Sequence, residues 1–203
     1  YGLDYVDRLN QSDRYEDAIP VLKSIISQDP SSKLAYRKLA DVNKAIDNLK
    51  GAVTAYEELF QIDPRDSRIP IDISNLYLES NDFGKALRWA DKAVSLNDDI
   101  GDGFGQKGKV FYYGWDNFRK NPLTIDDRII AKLAYNYFVK AESFGYRGFS
   151  KRAWLEENSK DILYGKAQWF MADDKMRRTK NISTISSDYD WVTESLKAEA
   201  DCK

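Results

Sequence analysis

Two Asp-Pro steps constrain this chain more than anything else in it. Asp29-Pro30 and Asp63-Pro64 stand 34 residues apart, and Asn97-Asp98 falls where a third step would be. Each closes a segment of the same kind. Tyr15 to Pro30, Gly51 to Pro64 and Phe83 to Asp98 each carry apolar residues at helical spacing ahead of the closing pair. A proline there ends a helix, because it lacks the N–H and pushes its preceding residue out of the α region. A fixed period in this range is the mark of a helical solenoid, in which each unit buries its apolar face only against its neighbours.

The positions inside the period repeat as well. A small residue recurs at Ala18, Ala52 and Ala86, with Leu22, Tyr56 and Ala90 four places later. Tyr36, Leu39 and Ala40 fill the first helix of the second unit. Ile73, Ser74 and Tyr77 do so in the third, where Pro70 replaces the expected aromatic. Small residues let neighbouring helices approach, and large ones fill the space beside them. This pattern resembles the tetratricopeptide repeat, a helix–turn–helix unit. The resemblance implies an all-α, right-handed α-α superhelix, with residues 1–146 forming about four repeats. Residues 147–203 then form a C-terminal helical extension that caps the array, whether or not it contains a degenerate fifth repeat.

The fourth unit is stretched. Phe104, Gly108 and Phe111 match a first helix, but the second-helix trio is Ala134, Phe138 and Ala141, some 14 residues late. The insertion is placed near 114–124 and ends on a helix start, with Thr124 as N-cap and Asp126-Asp127 in the first turn. Its Trp115 and Phe118 either line the edge of a binding face or pack back onto the array. Beyond Phe144, helical segments are read at Arg152–Leu155 and from Ile162 to Met171, and a linker from Arg177 to Ser187. A final helix is read from Ser187 or Asp188, with Trp191, Val192 and Leu196 as its apolar stripe.

Composition excludes several function classes. With 31 basic and 33 acidic residues the chain has no basic footprint for nucleic acid. It has no apolar run long enough to span a bilayer. Histidine is absent, which removes the commonest metal ligand and the side chain best suited to proton transfer near neutral pH. Cys202 stands alone, so it forms no intrachain disulfide. Gly103-Phe104-Gly105-Gln106-Lys107-Gly108 has dinucleotide-loop spacing, yet it follows a helical segment rather than a strand, and Val110 stands where a phosphate loop needs Ser or Thr. Asn97, Asp98, Asp99 and Asp102 lack the alternation of a calcium loop. No catalytic, cofactor or metal residue is assigned. The chain opens at Tyr1 inside the first repeat, which fits an exported bacterial protein of the periplasm or envelope, with the cytoplasm left open.

The resemblance implies a concave groove lined by first helices, and a non-catalytic scaffold that binds a protein or peptide there. The groove positions are Arg37, Lys38, Asp41 and Lys44 in the second repeat and Arg68, Asp72 and Asn75 in the third. Gln106, Lys109, Tyr112 and Tyr113 follow in the fourth, with Trp115 at its edge. The carboxylate clamp of chaperone-binding members is not reproduced: its places hold Leu3, Asp7, Lys38, Arg68 and Asp72, and the two aspartates repel a carboxylate. The alternative is an assembly module that joins subunits or domains through the convex face or the ends. A ligand that binds only the folded state raises the melting temperature. Titration with ATP, NAD or divalent cations is therefore expected to leave it unchanged, and a saturable upshift with any of them would contradict this reading.

Overall fold

The computed structural model describes residues 2–158 and 160–198. Eight helices run in antiparallel pairs: α1 (Gly2–Gln11) with α2 (Tyr15–Gln28), and α3 (Lys33–Ala45) with α4 (Leu49–Ile62). The pairs continue with α5 (Arg68–Glu79) and α6 (Phe83–Leu96), then α7 (Gly101–Phe118) and α8 (Ile125–Ser143). The shorter α9 (Lys151–Asn158), α10 (Lys166–Phe170) and α11 (Asp174–Thr179) follow, with a two-residue antiparallel ribbon between β1 (Asn181–Ile182) and β2 (Leu196–Lys197). Among the described residues, no helix is long and apolar enough to cross a membrane, and no group of three or more acidic, Cys or His side chains is placed to hold a metal ion.

The turn inside each of the first three pairs repeats in backbone detail. Asp13, Asp47 and Asn81 adopt left-handed φ of 55°, 58° and 56°, and they lie 34 residues apart. The N–H of the following residue reaches five residues back, from Arg14 to Leu9, Asn48 to Asn43 and Asp82 to Tyr77, at 2.8–2.9 Å. This is the Schellman closure of a helix, and Asp and Asn tolerate the left-handed region better than most side chains. The next helix starts at once, with Asn48 capping the Gly51 N–H and Asp82 capping the Lys85 N–H. Pro70, out of pattern for an aromatic, is the third residue of α5 and is buried. An N–H at that position has no partner within the helix, so proline costs no hydrogen bond.

Ala18, Ala52, Ala86, Ala134 and Ala141 are fully buried, with Leu22, Tyr56 and Phe138 packed beside them. Gly108 belongs to the same set, since a Cβ there would come within 2.6 Å of the Phe138 ring. A Cβ on Gly105 would likewise come within 2.7 Å of the Tyr146 ring. Both lie inside α7, which accounts for the glycine-rich spacing as helix contact.

Four readings of the later chain are corrected. The extra residues of the fourth unit are not mainly a loop: α7 continues through Gly114 and Trp115 to Phe118, and only 119–124 lies outside helix. Thr124 does start α8, through a capping box with Asp127. Residues 177–187 are not a bare linker, because α11 runs to Thr179 and the Ile182 of β1 is fully buried. Ser187 does not start the helix expected over Trp191, Val192 and Leu196; a 3₁₀ turn over Ser187–Tyr189 leads into extended chain and β2. The helical segment read from Ile162 to Met171 is broken too, into a 3₁₀ turn ending at Ile162 and the five-residue α10, and Phe170 and Met171 are exposed. Cys202 and its disulfide reading lie outside the described residues.

This C-terminal segment is held by side chains it packs against. One Asp126 oxygen accepts the N–H groups of Ile185 and Ser186. Asp127 accepts the Tyr189 hydroxyl at 2.6 Å and the N–H groups of Lys120 and Thr124. Burial pushes the Asp127 carboxyl up, but these hydrogen bonds outweigh it and hold it below its usual 3.8. Trp191 inserts between Phe83 and Phe111, with ring centroids 5.5 and 5.7 Å away.

Two predictions follow from the packing and from the cap. Ala52→Trp or Ala86→Trp should overpack a helix–helix contact and destabilise by about 1–3 kcal/mol, read by denaturant melts. Removing the charge of Asp127 with Asp127→Asn should cost about 1–3 kcal/mol at neutral pH. Because its carboxyl is depressed in the folded state, that stability is present above the usual carboxylate range and is lost as pH falls through the folded value. The gap between wild type and variant should therefore close in acid, and a gap constant with pH would remove the charge from the account.

Candidate functional site

The first helices α1, α3, α5 and α7 carry one row of polar side chains each, and neighbouring rows are joined. Lys38 of α3 bonds Asp7 of α1. Arg37 bonds Asp72 of α5 at 3.1 Å and approaches Asp66 at 3.8 Å. Lys44 approaches Glu79 at 3.7 Å. Gln106 of α7 donates to Asn75 at 2.8 Å and to the buried Ser74 hydroxyl at 3.1 Å. Asp41 accepts the Tyr56 hydroxyl at 3.2 Å, and Arg68 grips Asp66 at 2.9 Å through two nitrogens. Burial pushes the Asp72 carboxyl up, an effect only partly offset by the Arg37 guanidinium.

Two neighbouring clefts lie on this face. One, of about 340 Å³, is lined by Arg37, Arg68, Asp72, Gln106 and Lys109, with Asp102 and Tyr146. The other, of about 390 Å³, is lined by Lys44, Asn75, Lys109 and Tyr113, with Leu78 and Glu79. Lys109 borders both. Among the described residues it makes no ion pair, and Tyr113 beside it is half exposed, at 53%. The pairing of the rows thus leaves one cation and one aromatic ring available at the junction of the clefts.

Eight of the groove residues named from the sequence therefore meet in these two clefts, while Lys38 and Asp41 stand beside them in contacts of their own. Trp115 is corrected. It is only 2% exposed, stacks near Tyr112 and lies under the Arg119 guanidinium. Because α7 continues as a helix, Trp115 faces inward with the apolar side of that helix, and it offers no edge to a partner. Tyr112 is half-buried against Trp115, so Tyr113 is the tyrosine that borders the cleft. Gln106 is buried and forms the floor through its amide contacts rather than an open surface. Asp102, Leu78 and Glu79 were missed although they stand at the same first-helix register positions; selecting only some side chains at those positions passed them over. Tyr146 follows α8, and no periodicity could have placed it.

No family model matches the chain. It is 29% identical over 96 residues, 47% of its own length, to cellulose synthase operon protein C of Pseudomonas fluorescens (strain SBW25). The match spans only about 8% of that curated relative. Among solved structures it is similar to a crystal structure of MamA protein, with a TM-score of 0.54 and 18% identity over 78% of this chain and 75% of that one. A MamA structure beginning at residue 41, from Desulfovibrio magneticus RS-1, gives 0.53 and 19% over 71% and 74%. These likenesses concern the fold. The chain folds as a tetratricopeptide-type helical solenoid.

Proposed function

We propose that the chain is a non-catalytic scaffold that binds a protein or peptide along the concave side formed by its first helices. The observation that carries this is the junction of the two clefts, where Lys109 makes no ion pair among the described residues and Tyr113, edge-on to Tyr112, is half exposed beside a floor of mutually bonded side chains. A row already joined across helices costs little to order on binding, and an exposed tyrosine is among the side chains enriched in interface hot spots. Lys109 suits a carboxylate or a backbone carbonyl of the partner. Leu78 and Tyr113 suit an apolar side chain next to it.

A second reading, an assembly module joined through its ends, is favoured by one observation. Phe170 and Met171 are adjacent and exposed at 66% and 68%, in the segment beyond the array. The two readings separate by mutation. Lys109→Glu with Tyr113→Ala should cut partner capture about tenfold or more, the scale of a hot spot, and leave helical circular dichroism and melting temperature unchanged. Capture that survives this change and is lost in Phe170→Ser with Met171→Ser would move the function from the groove to the end of the array.

A further inference from the structure

A cleft recurs on the other side of the array, where a first helix meets the second helices on either side of it. Over α3 it is lined in part by Ile19, Lys23 and Asn43 and has a volume of about 550 Å³. Over α5 it is lined by Leu49, Val53, Leu76, Tyr77 and Ser80 and has a volume of about 470 Å³. Over α7 the equivalent place is filled by the chain itself. Phe83, Phe111 and Gly114 stand 34 residues beyond Leu49, Tyr77 and Ser80, and Trp191 packs on all three. Three residues later Glu194 bonds Lys107 and the Tyr137 hydroxyl, fixing the segment beside the cleft.

We propose that the open cleft over α5 is a docking site for an extended partner segment presenting a leucine-sized apolar side chain, held as Trp191 is held one repeat later. The lining supports an apolar occupant, since Leu49, Val53, Leu76 and Tyr77 form an apolar floor, with Lys50, Thr54, Glu57, Asp82 and Lys85 around it. The size follows from one residue. A Cβ on Gly114 would lie 2.4 Å from the six-membered ring of Trp191, so that ring needs glycine beneath it. The open cleft has Ser80 at this position, and its Cβ excludes an indole in the same pose. A shorter side chain stops before reaching it. This also argues against a second copy of the chain, whose matching segment would bring Trp191. Lys50 stands 34 residues before Gly84, whose added Cβ would lie 3.5 Å from the Trp191 Cβ, so it flanks the docked side chain; it makes no ion pair among the described residues, and a carboxylate next to that side chain complements it. The site lies apart from the groove of Lys109 and stands or falls independently of it.

The test uses the whole isotope-labelled chain and two synthetic peptides copying residues 186–195, one with tryptophan at 191 and one with Trp191→Leu. The leucine peptide should give saturable amide shifts centred on Leu49–Thr54 and Leu76–Ser80. Leu49→Ala, a change at a half-buried lining residue, should weaken it by roughly tenfold, the loss of one apolar contact partner. Ser80→Gly should improve binding of the tryptophan peptide severalfold by opening the room that Gly114 provides. Saturable shifts centred instead on Phe83 and Phe111 would mean displacement of the chain's own segment and would overturn the proposal. Shifts at Lys109 and Tyr113, an absence of saturation, or indifference to both substitutions would overturn it as well.

Discussion

The left-handed turn between paired helices is the constraint on which the array depends. Its residues at Asp13, Asp47 and Asn81 reverse the chain in three steps and bring the fully buried alanines of successive second helices to equivalent contacts. A residue of ordinary type resists a φ near +55°, so the turn concentrates Asp and Asn at one register position. Where that turn is absent the period changes. In the fourth unit α7 runs on for 18 residues and α8 for 19, and a separate capping box at Thr124 and Asp127 starts the return helix.

That lengthening alters what the end of the array must cover. The lengthened α7 exposes a longer apolar strip, with Phe111 and Phe118 beside Phe83 of α6, which no following repeat protects. The C-terminal segment covers it with Trp191 and Tyr189 rather than with a helix. Its attachment is polar as much as apolar. Lys107 is almost fully buried and bonded to Asp91 at 2.6 Å and to Glu194, with its ammonium 4.3 Å from the Tyr137 ring centroid. Burial draws the Lys107 ammonium down, yet the bonds to Asp91, Glu194 and Tyr137 prevail and keep it above its ordinary value. The Tyr137 hydroxyl, buried and bonded to Glu194, is pushed up to about 12. A charge held in this way requires its partner, so the segment is fixed in one place rather than merely adsorbed.

The repeat register was legible because small residues, large residues and helix-ending prolines vary together at one spacing. The alanines and Gly108 occupy the places that spacing assigns. The C-terminal extension was not legible in the same way. Trp191, Val192 and Leu196 have helical spacing, but their partners are Phe83, Phe111 and β1, distant elements that no local period reports. Trp115 failed for a related reason: whether it was an exposed loop residue or a buried helical one turned on the length of α7. For the candidate groove, the register located first-helix positions well. It could not show that Arg37, Lys38 and Lys44 face acidic partners across helices while Lys109 does not.

The two sides of the array consequently differ in kind. On the first-helix side, polar groups of neighbouring rows satisfy one another, and Lys109 is left without an ion pair among the described residues. On the other side, the recurring clefts change floor with each repeat, from Asn43 to Tyr77 to Phe111, and so from polar to apolar along the chain. The most apolar of the three is the one the chain fills with its own tryptophan, where burial gains most and the glycine opposite makes room. The middle cleft has much of the same wall but a serine in place of that glycine. A period that forces equivalent geometry therefore lets single substitutions at one register position set which side chain each repeat accepts. In that sense Ser80 and Gly114 are two settings of the same site.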